Sequence, residues 1–228
     1  MARERQGRSL VEDVYAVLRA EILFGRRLPG SRLQLNELAE EHGVSVSVVR
    51  EVVTRLTSEE LVEATPQRGF RVRPLSVEHL QDLTWVRVRL ETLALRESIA
   101  KGDVSWEADL VAAHHRLAVT PMYFEDGTGN LEWLTAHSGF HVALAAGAGS
   151  PILERLRRQL YDAAELYRMW SSNLPHHPTR EHVDDEHRAI FEAALARDAD
   201  GAVDLVTRHL ETTAHLLAAI APSVDLVQ

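Results

Sequence analysis

The chain has 228 residues, 45% of them hydrophobic and 26% charged, with no cysteine. That length holds two domains of ordinary size, the composition is that of a folded protein rather than a disordered or fibrous one, and the lack of thiols excludes a disulfide scaffold, a thiolate zinc site and a cysteine nucleophile. The net charge of −9 is unevenly spread: residues 1–75 hold twelve Arg against eleven Asp and Glu, residues 76–228 thirteen Lys and Arg against twenty-three Asp and Glu, so the first third can still present the local basic face that phosphate contact needs.

The opening stretch is charged and lacks an apolar signal core, and no run of about 18 apolar residues follows, so a cytoplasmic protein without a membrane partner is expected. Ser9 and Glu12 fit a capping box at the head of a first helix over about 10–24, whose Val14, Leu18 and Ile22 recur at helical spacing. Gly25 and Pro29-Gly30 end it, and a short loop leads to Leu33. Residues 35–42 form a second, short helix that Gly43 can close with a left-handed cap. After a turn at Val44-Ser45, a third helix spans about 46–57, with Val49, Val52, Val53 and Leu56 apolar and Arg50 and Arg55 polar. That arrangement is a helix-turn-helix. Two alternating stretches, Leu61–Ala64 and Phe70–Arg73, joined through Thr65–Gly69, predict a two-stranded wing.

From Ser76 on, the pattern predicts six helices and no strand: about 76–101, 105–118, 130–147, 151–172, 179–197 and 201–220, separated by Gly102, Gly127, Gly129, Pro175, Pro178 and Gly201. The first of them is predicted to turn Leu80, Leu83, Val86, Leu90, Leu93, Ala94 and Ile99 inward. The expected fold class is mainly α: a winged helix-turn-helix with a two-stranded β wing over 1–75, and an all-α antiparallel helical bundle over 76–228.

The first region resembles the GntR family of bacterial regulators. The resemblance rests on Gly25 to Gly30, on Leu38-Ala39 followed by Gly43-Val44-Ser45, on Val49-Arg50-Glu51-Val52-Val53, and on Leu61-Val62 with Gly69 in the wing. The second region resembles the helical effector domain of the FadR-like branch, often called FCD, through Arg87-Val88-Arg89-Leu90-Glu91, Phe140-His141, Glu186-His187 and Arg208-His209-Leu210.

The resemblance implies a transcription regulator, a repressor by expectation, whose third helix enters the major groove of a double-stranded, palindromic operator. Ser45, Ser47 and Arg50 would face DNA, and Gln67, Arg68 and Gly69 of the wing would reach the minor groove. Arginine suits bidentate contact with guanine, and serine hydroxyls suit phosphate. Two positions depart from the family: Val46 and Asn36 stand where arginine is usual. Valine cannot hydrogen-bond a base, although its methyl groups can touch a thymine methyl, so an operator unlike the usual family sequence is expected.

Histidine is as lopsided as charge: His42 is the one histidine before residue 76, and eleven follow. His137 and His141 lie four apart on one predicted helix and therefore on one face. By the resemblance, the family's metal ligands fall on His137, His141, His187 and His209. The first of these is usually aspartate, so the set becomes all-histidine, which favours a divalent transition metal such as zinc or nickel over magnesium or calcium. If His137 turns away, three histidines leave an opening for water or effector. The effector implied is a small carboxylate, with Arg87 as its partner; a salt bridge from Arg87 to Glu91, four residues along, is the alternative. The pairs His114-His115 and His176-His177 read as surface.

A metal-dependent hydrolase is the competing reading, with a metal-stabilised helical interaction module as a third. A zincin needs H-E-x-x-H, whereas this chain has His137-Ser138-Gly139-Phe140-His141. His182 and His187 are five apart, about 140° around a helix, and do not form the inverted motif. No P-loop, dinucleotide fingerprint or nucleophile elbow is present, so no enzyme is expected. A homodimer is, because a helix-turn-helix reads the two halves of a palindrome through a two-fold pair.

Overall fold

The computed structural model describes residues 10–23, 25–65, 69–124, 130–172 and 180–220. The predicted Ser9 cap, His176-His177 and the glycine and proline breaks at 127, 129, 175 and 178 lie outside them. The chain folds as two units: Met1–Leu80 with Gln159–Ser171, and Gln81–Arg158 with Ser172–Gln228.

In the first unit, α1 (Leu10–Leu23) buries Val14, Leu18, Ile22 and Leu23 against α3 (Val46–Ser58), which buries Val49, Val52, Val53 and Leu56. Between them in sequence, α2 (Leu35–His42) packs on α3 through Leu38 and Ala39. Gly43 ends α2 at φ 64°, ψ 35°, a conformation in which a side chain would be strained, and the Val44 N–H bonds back to the Ala39 carbonyl at 3.0 Å. Ser45, extended, then caps α3 by accepting from the Val48 N–H.

The predicted two-stranded wing is present, and the sheet adds one short strand to it. It has three antiparallel strands in the order β1 (Arg32–Leu33), β3 (Gly69–Val72), β2 (Val62–Thr65). β1 lies in what reads as a loop, because two residues cannot display a period of two; long-range pairing makes it a strand. Leu33 sits opposite Phe70 and Arg32 opposite Arg71, with flanking bonds from Gly30 N–H to Val72 O and from Val72 N–H to Ser31 O.

The first unit also takes in the second half of α7 (Pro151–Ser172). Asp162 accepts from Arg19 of α1 at 2.5 Å, and the Tyr167 hydroxyl lies 2.8 Å from His79 Nδ1 and donates to the Ser76 carbonyl.

The second unit contains most of α4 (Val77–Lys101), α5 (Val104–Val119), α6 (Leu131–Ala146), the first turns of α7, α8 (Arg180–Leu195) and α9 (Ala199–Ile220). Asp103 and Asn130 cap α5 and α6 by accepting from the N–H groups of Trp106 and Glu132. α5 packs on α6 and on α8, and α8 packs on α9 across a three-residue connection, as antiparallel neighbours do. Trp106, Leu110, Trp133, Phe140, Leu144, Ile190, Val206 and Leu210 belong to one shared core. Arg197, in the α8–α9 turn, donates to the free carbonyls of Ile99 and Gly102 at the end of α4. Leu93 departs from its predicted inward place and is exposed, because the buried stripe of α4 runs through Leu83, Arg87, Glu91, Ala94 and Ser98 and leaves Leu93 on the opposite side of the helix. His114 also departs from the surface reading: half-buried, it stacks flat on Phe191 with centroids 4.1 Å apart.

Candidate metal centre and DNA-reading helix

Helical spacing places His137 and His141 one turn apart on α6, while His187 comes from α8 and His209 from α9. All four are buried, with exposures of 1%, 4%, 2% and 6%. One ligating nitrogen from each lies within 4.8 Å of those of the others. His137 Nε2 stands 3.1 Å from His187 Nε2 and 3.3 Å from His141 Nε2. The His137 ring therefore points into the group.

Neutral imidazole has one donor nitrogen and one lone pair. Lone pairs converging at these distances repel unless a proton or a cation lies between them. Nitrogens bound to zinc at about 2.0–2.1 Å with tetrahedral angles sit roughly 3.3–3.4 Å apart, and at right angles roughly 2.9 Å apart. The spacing and the neutral, borderline donors thus fit a divalent transition ion.

Residues around the cluster fix these rings. Glu186, adjacent to His187 on α8, has Oε2 2.6 Å from His209 Nδ1. A proton held there leaves the His209 Nε2 lone pair for the cluster. Behind His141, the buried Arg157 of α7 donates to its backbone carbonyl at 2.9 Å and to Glu91 of α4 at 2.5 and 2.9 Å. Phe140 meets His187 edge to face, and Trp133 stacks on His137 with centroids 4.7 Å apart and planes 14° apart.

Arg87 is buried on α4, one turn before Glu91. Glu91 is held by Arg157, so the α4 face bearing Arg87 is the face tied to the His141 carbonyl.

In the first unit, Val46 opens α3 with 36% of its surface exposed, and Ser47 and Arg50 are exposed on the same side of the helix. Ser45, exposed, uses its oxygen as the cap and keeps its hydroxyl proton for a partner. Asn36 is exposed on α2. Gly69 opens β3 at φ 85°, while Gln67 and Arg68 lie outside the described residues.

Two family models match the chain in sequence order. Residues 10–72 match bacterial regulatory proteins of the gntR family, and residues 82–212 match the FCD domain. The chain belongs to the GntR family.

It is 37% identical to the uncharacterized HTH-type transcriptional regulator BphR of Paraburkholderia xenovorans, over 90% of this chain and 84% of that protein. It is 32% identical to the HTH-type transcriptional repressor GlaR of Escherichia coli, over 88% of this chain and 92% of the repressor. A solved GntR regulator of Rhodococcus superposes with a TM-score of 0.71 at 27% identity, covering 92% of this chain and 97% of the other. This GntR protein is a DNA-binding transcription regulator, and no helix among its described residues is long and apolar enough to cross a membrane.

The placement of four side chains escapes a sequence reading. Glu186 belongs to the family motif with His187, but that motif does not show its contact with His209 of the next helix. Trp133 carries no periodic or motif signal of its own, and Arg157 meets Glu91 from 66 residues away. Arg32, exposed opposite Arg71, becomes visible only once β1 is a strand.

Proposed function

We propose that this regulator is a homodimeric, cytoplasmic repressor released by a small organic acid, which binds beside a divalent transition ion, zinc or nickel, in its helical region. Residues 1–75 form the reader and 76–228 the sensor. The convergence of four buried imidazole nitrogens within 4.8 Å carries the reading. His137, His141, His187 and His209 would hold the ion, which when bound supplies a Lewis-acid position for a carboxylate oxygen. All four donors are neutral, so the full charge of the ion remains to attract an anion.

The chain's own residues supply the rest. The buried Arg87 offers a fork of donors to a carboxylate. Glu186 sets the His209 tautomer. The core aromatics Trp133 and Phe140 keep water away from the rings. Catalysis is not part of this reading, and the regulator names of the relatives support that.

On DNA, α3 would enter the major groove of a palindromic operator, with Arg50 reading guanine. Ser45 and Ser47 would touch phosphate, and Val46 would meet a thymine methyl. Asn36 of α2 and Gln67, Arg68 and Gly69 of the wing complete the surface. Coupling is reciprocal: an acid that lowers operator affinity binds more weakly to the operator complex.

The test is a thermal-shift series of mono- and dicarboxylates with and without zinc or nickel, repeated on His141→Ala. Metal-dependent stabilisation by an acid, lost in the variant, is the expected result. No shift with any acid, together with purified protein that retains no metal, overturns the reading.

A further inference from the structure

Over residues 10–80 the acids claim most of the arginines. Arg19, Arg27, Arg55, Arg71 and Arg73 each pair with a carboxylate, whereas Arg26, Arg32 and Arg50 pair with none among the described residues. Arg50 is the α3 arginine proposed above to read guanine, and Arg26 stands in the turn after α1. Arg32 has a different setting. It is exposed on the edge strand β1, directly opposite the exposed Arg71 of β3, and Arg71 is paired on its other side with Glu63 of β2. The outer face of the sheet therefore carries two cations and one anion in a row across three strands. Like charges directly opposite one another destabilise a strand pair, and the unmatched cation is the one at the edge. Its backbone is held in place: Leu33 is buried opposite Phe70, and the Val72 N–H donates to the Ser31 carbonyl at 2.9 Å.

Position decides what can match this charge. Arg71 lies two residues beyond Gly69, where β3 leaves the wing, so the Arg32–Arg71 row stands about 7 Å back along the strand. A minor groove is about 6 Å wide and 7.5 Å deep, with a phosphate backbone along each rim. When a wing enters such a groove, side chains that far back meet the rim and not the base edges on the floor. We propose that Arg32 is a phosphate anchor of the DNA surface, and that the like-charged pair it forms with Arg71 is neutralised by the operator backbone. The inference rests on the reading of the wing as a minor-groove element, and adds to it a contact that ignores base sequence. A guanidinium suits that contact, since its planar fork can hold a phosphate through two parallel hydrogen bonds.

The experiment uses the full-length protein and two fluorescent duplexes, one that the parent selects from a random-sequence pool and one of scrambled sequence, each titrated across a sodium chloride series. Arg32→Thr removes the charge and leaves a residue that strands favour. It is expected to weaken binding to both duplexes by the same factor, and to make the fall of log K with log salt shallower by about 0.9 for each protomer bound. Arg26→Ala removes an equal charge elsewhere and is expected to keep the parent's slope. The melting temperature of Arg32→Thr is expected to match or exceed the parent's, because the like-charged pair is relieved. An unchanged slope in Arg32→Thr overturns the assignment, and so does an equal change in Arg26→Ala, which would make net charge the cause. A lower melting temperature gives Arg32 a role in holding the sheet and overturns it as well. Arg68→Ala separates this inference from the wing reading. Weakened binding in that variant beside an unaffected Arg32→Thr leaves the wing on DNA without the anchor; unaffected binding in both removes the wing reading, and this inference with it.

Discussion

Glu186 Oε2 lies 2.6 Å from Nδ1 of His209, so one carboxylate decides which nitrogen of that ring is left to face the cluster. Removing such an orienting partner typically costs a metal site about 10- to 100-fold in affinity. Glu186→Ala is expected to weaken zinc binding by that range in competition with a chromophoric chelator, with the helical content unchanged. Undiminished affinity would show that His209 is oriented by packing alone.

Arg157 and Glu91 form an ion pair buried on both sides. Truncating one member strands the other's charge, whereas replacing both with apolar groups is tolerated far better. Arg157→Met is expected to lower the unfolding free energy by about 3–5 kcal/mol, and the double variant with Glu91→Leu to recover most of it. Urea titration measures both. A double variant as unstable as the single one contradicts this account.

Arg50 and Val46 share the exposed face of α3 but differ in what they can say to a base. Arg50→Ala is expected to cost about 1–3 kcal/mol of operator binding and to relax preference at one base pair. Val46→Arg is expected to change the preferred operator rather than simply strengthen binding. Selection from a random-sequence DNA pool reads both, and an unaltered consensus for Val46→Arg excludes that position from base contact.

Burial lifts the Asp162 carboxyl to about 6, against the opposing pull of the Arg19 guanidinium. The folded protein thus holds that proton more tightly than the unfolded chain does. The associated stability is complete below about pH 4, the range of an ordinary aspartate, and is lost as pH rises through 6, a change of roughly 2–3 kcal/mol. The measurement is the difference in unfolding free energy between the parent and Asp162→Asn from pH 4 to pH 7. That difference should shift against the parent as pH rises; a flat difference refutes the raised carboxyl.

Local chemistry made much of this molecule legible. Gly43 and Ser45 mark the turn before α3 because their conformations follow from residue type, and helix α2 falls on the predicted residues 35–42. The four histidines were legible through a family pattern, and the structure gathers them on three helices. What was not legible depends on partners distant in sequence. β1 exists because β3 pairs with it, and His114 leaves the surface because Phe191, 77 residues on, offers a ring to stack upon. Leu93 reads as core by spacing and is exposed because the inward stripe of α4 carries the polar Arg87, Glu91 and Ser98, which a reading by apolar spacing passes over.

Arg157 joins Glu91 of α4, Glu154 one turn back in its own helix and the carbonyl of His141 in α6. A helix gripped at the backbone of a ligand residue cannot rotate or slide there without leaving a cation in the core. The His141 ring is thereby set like the fixed jaw of a gauge. Ions offered to four identical imidazoles meet constant donor chemistry, so size and preferred angle are left to sort them.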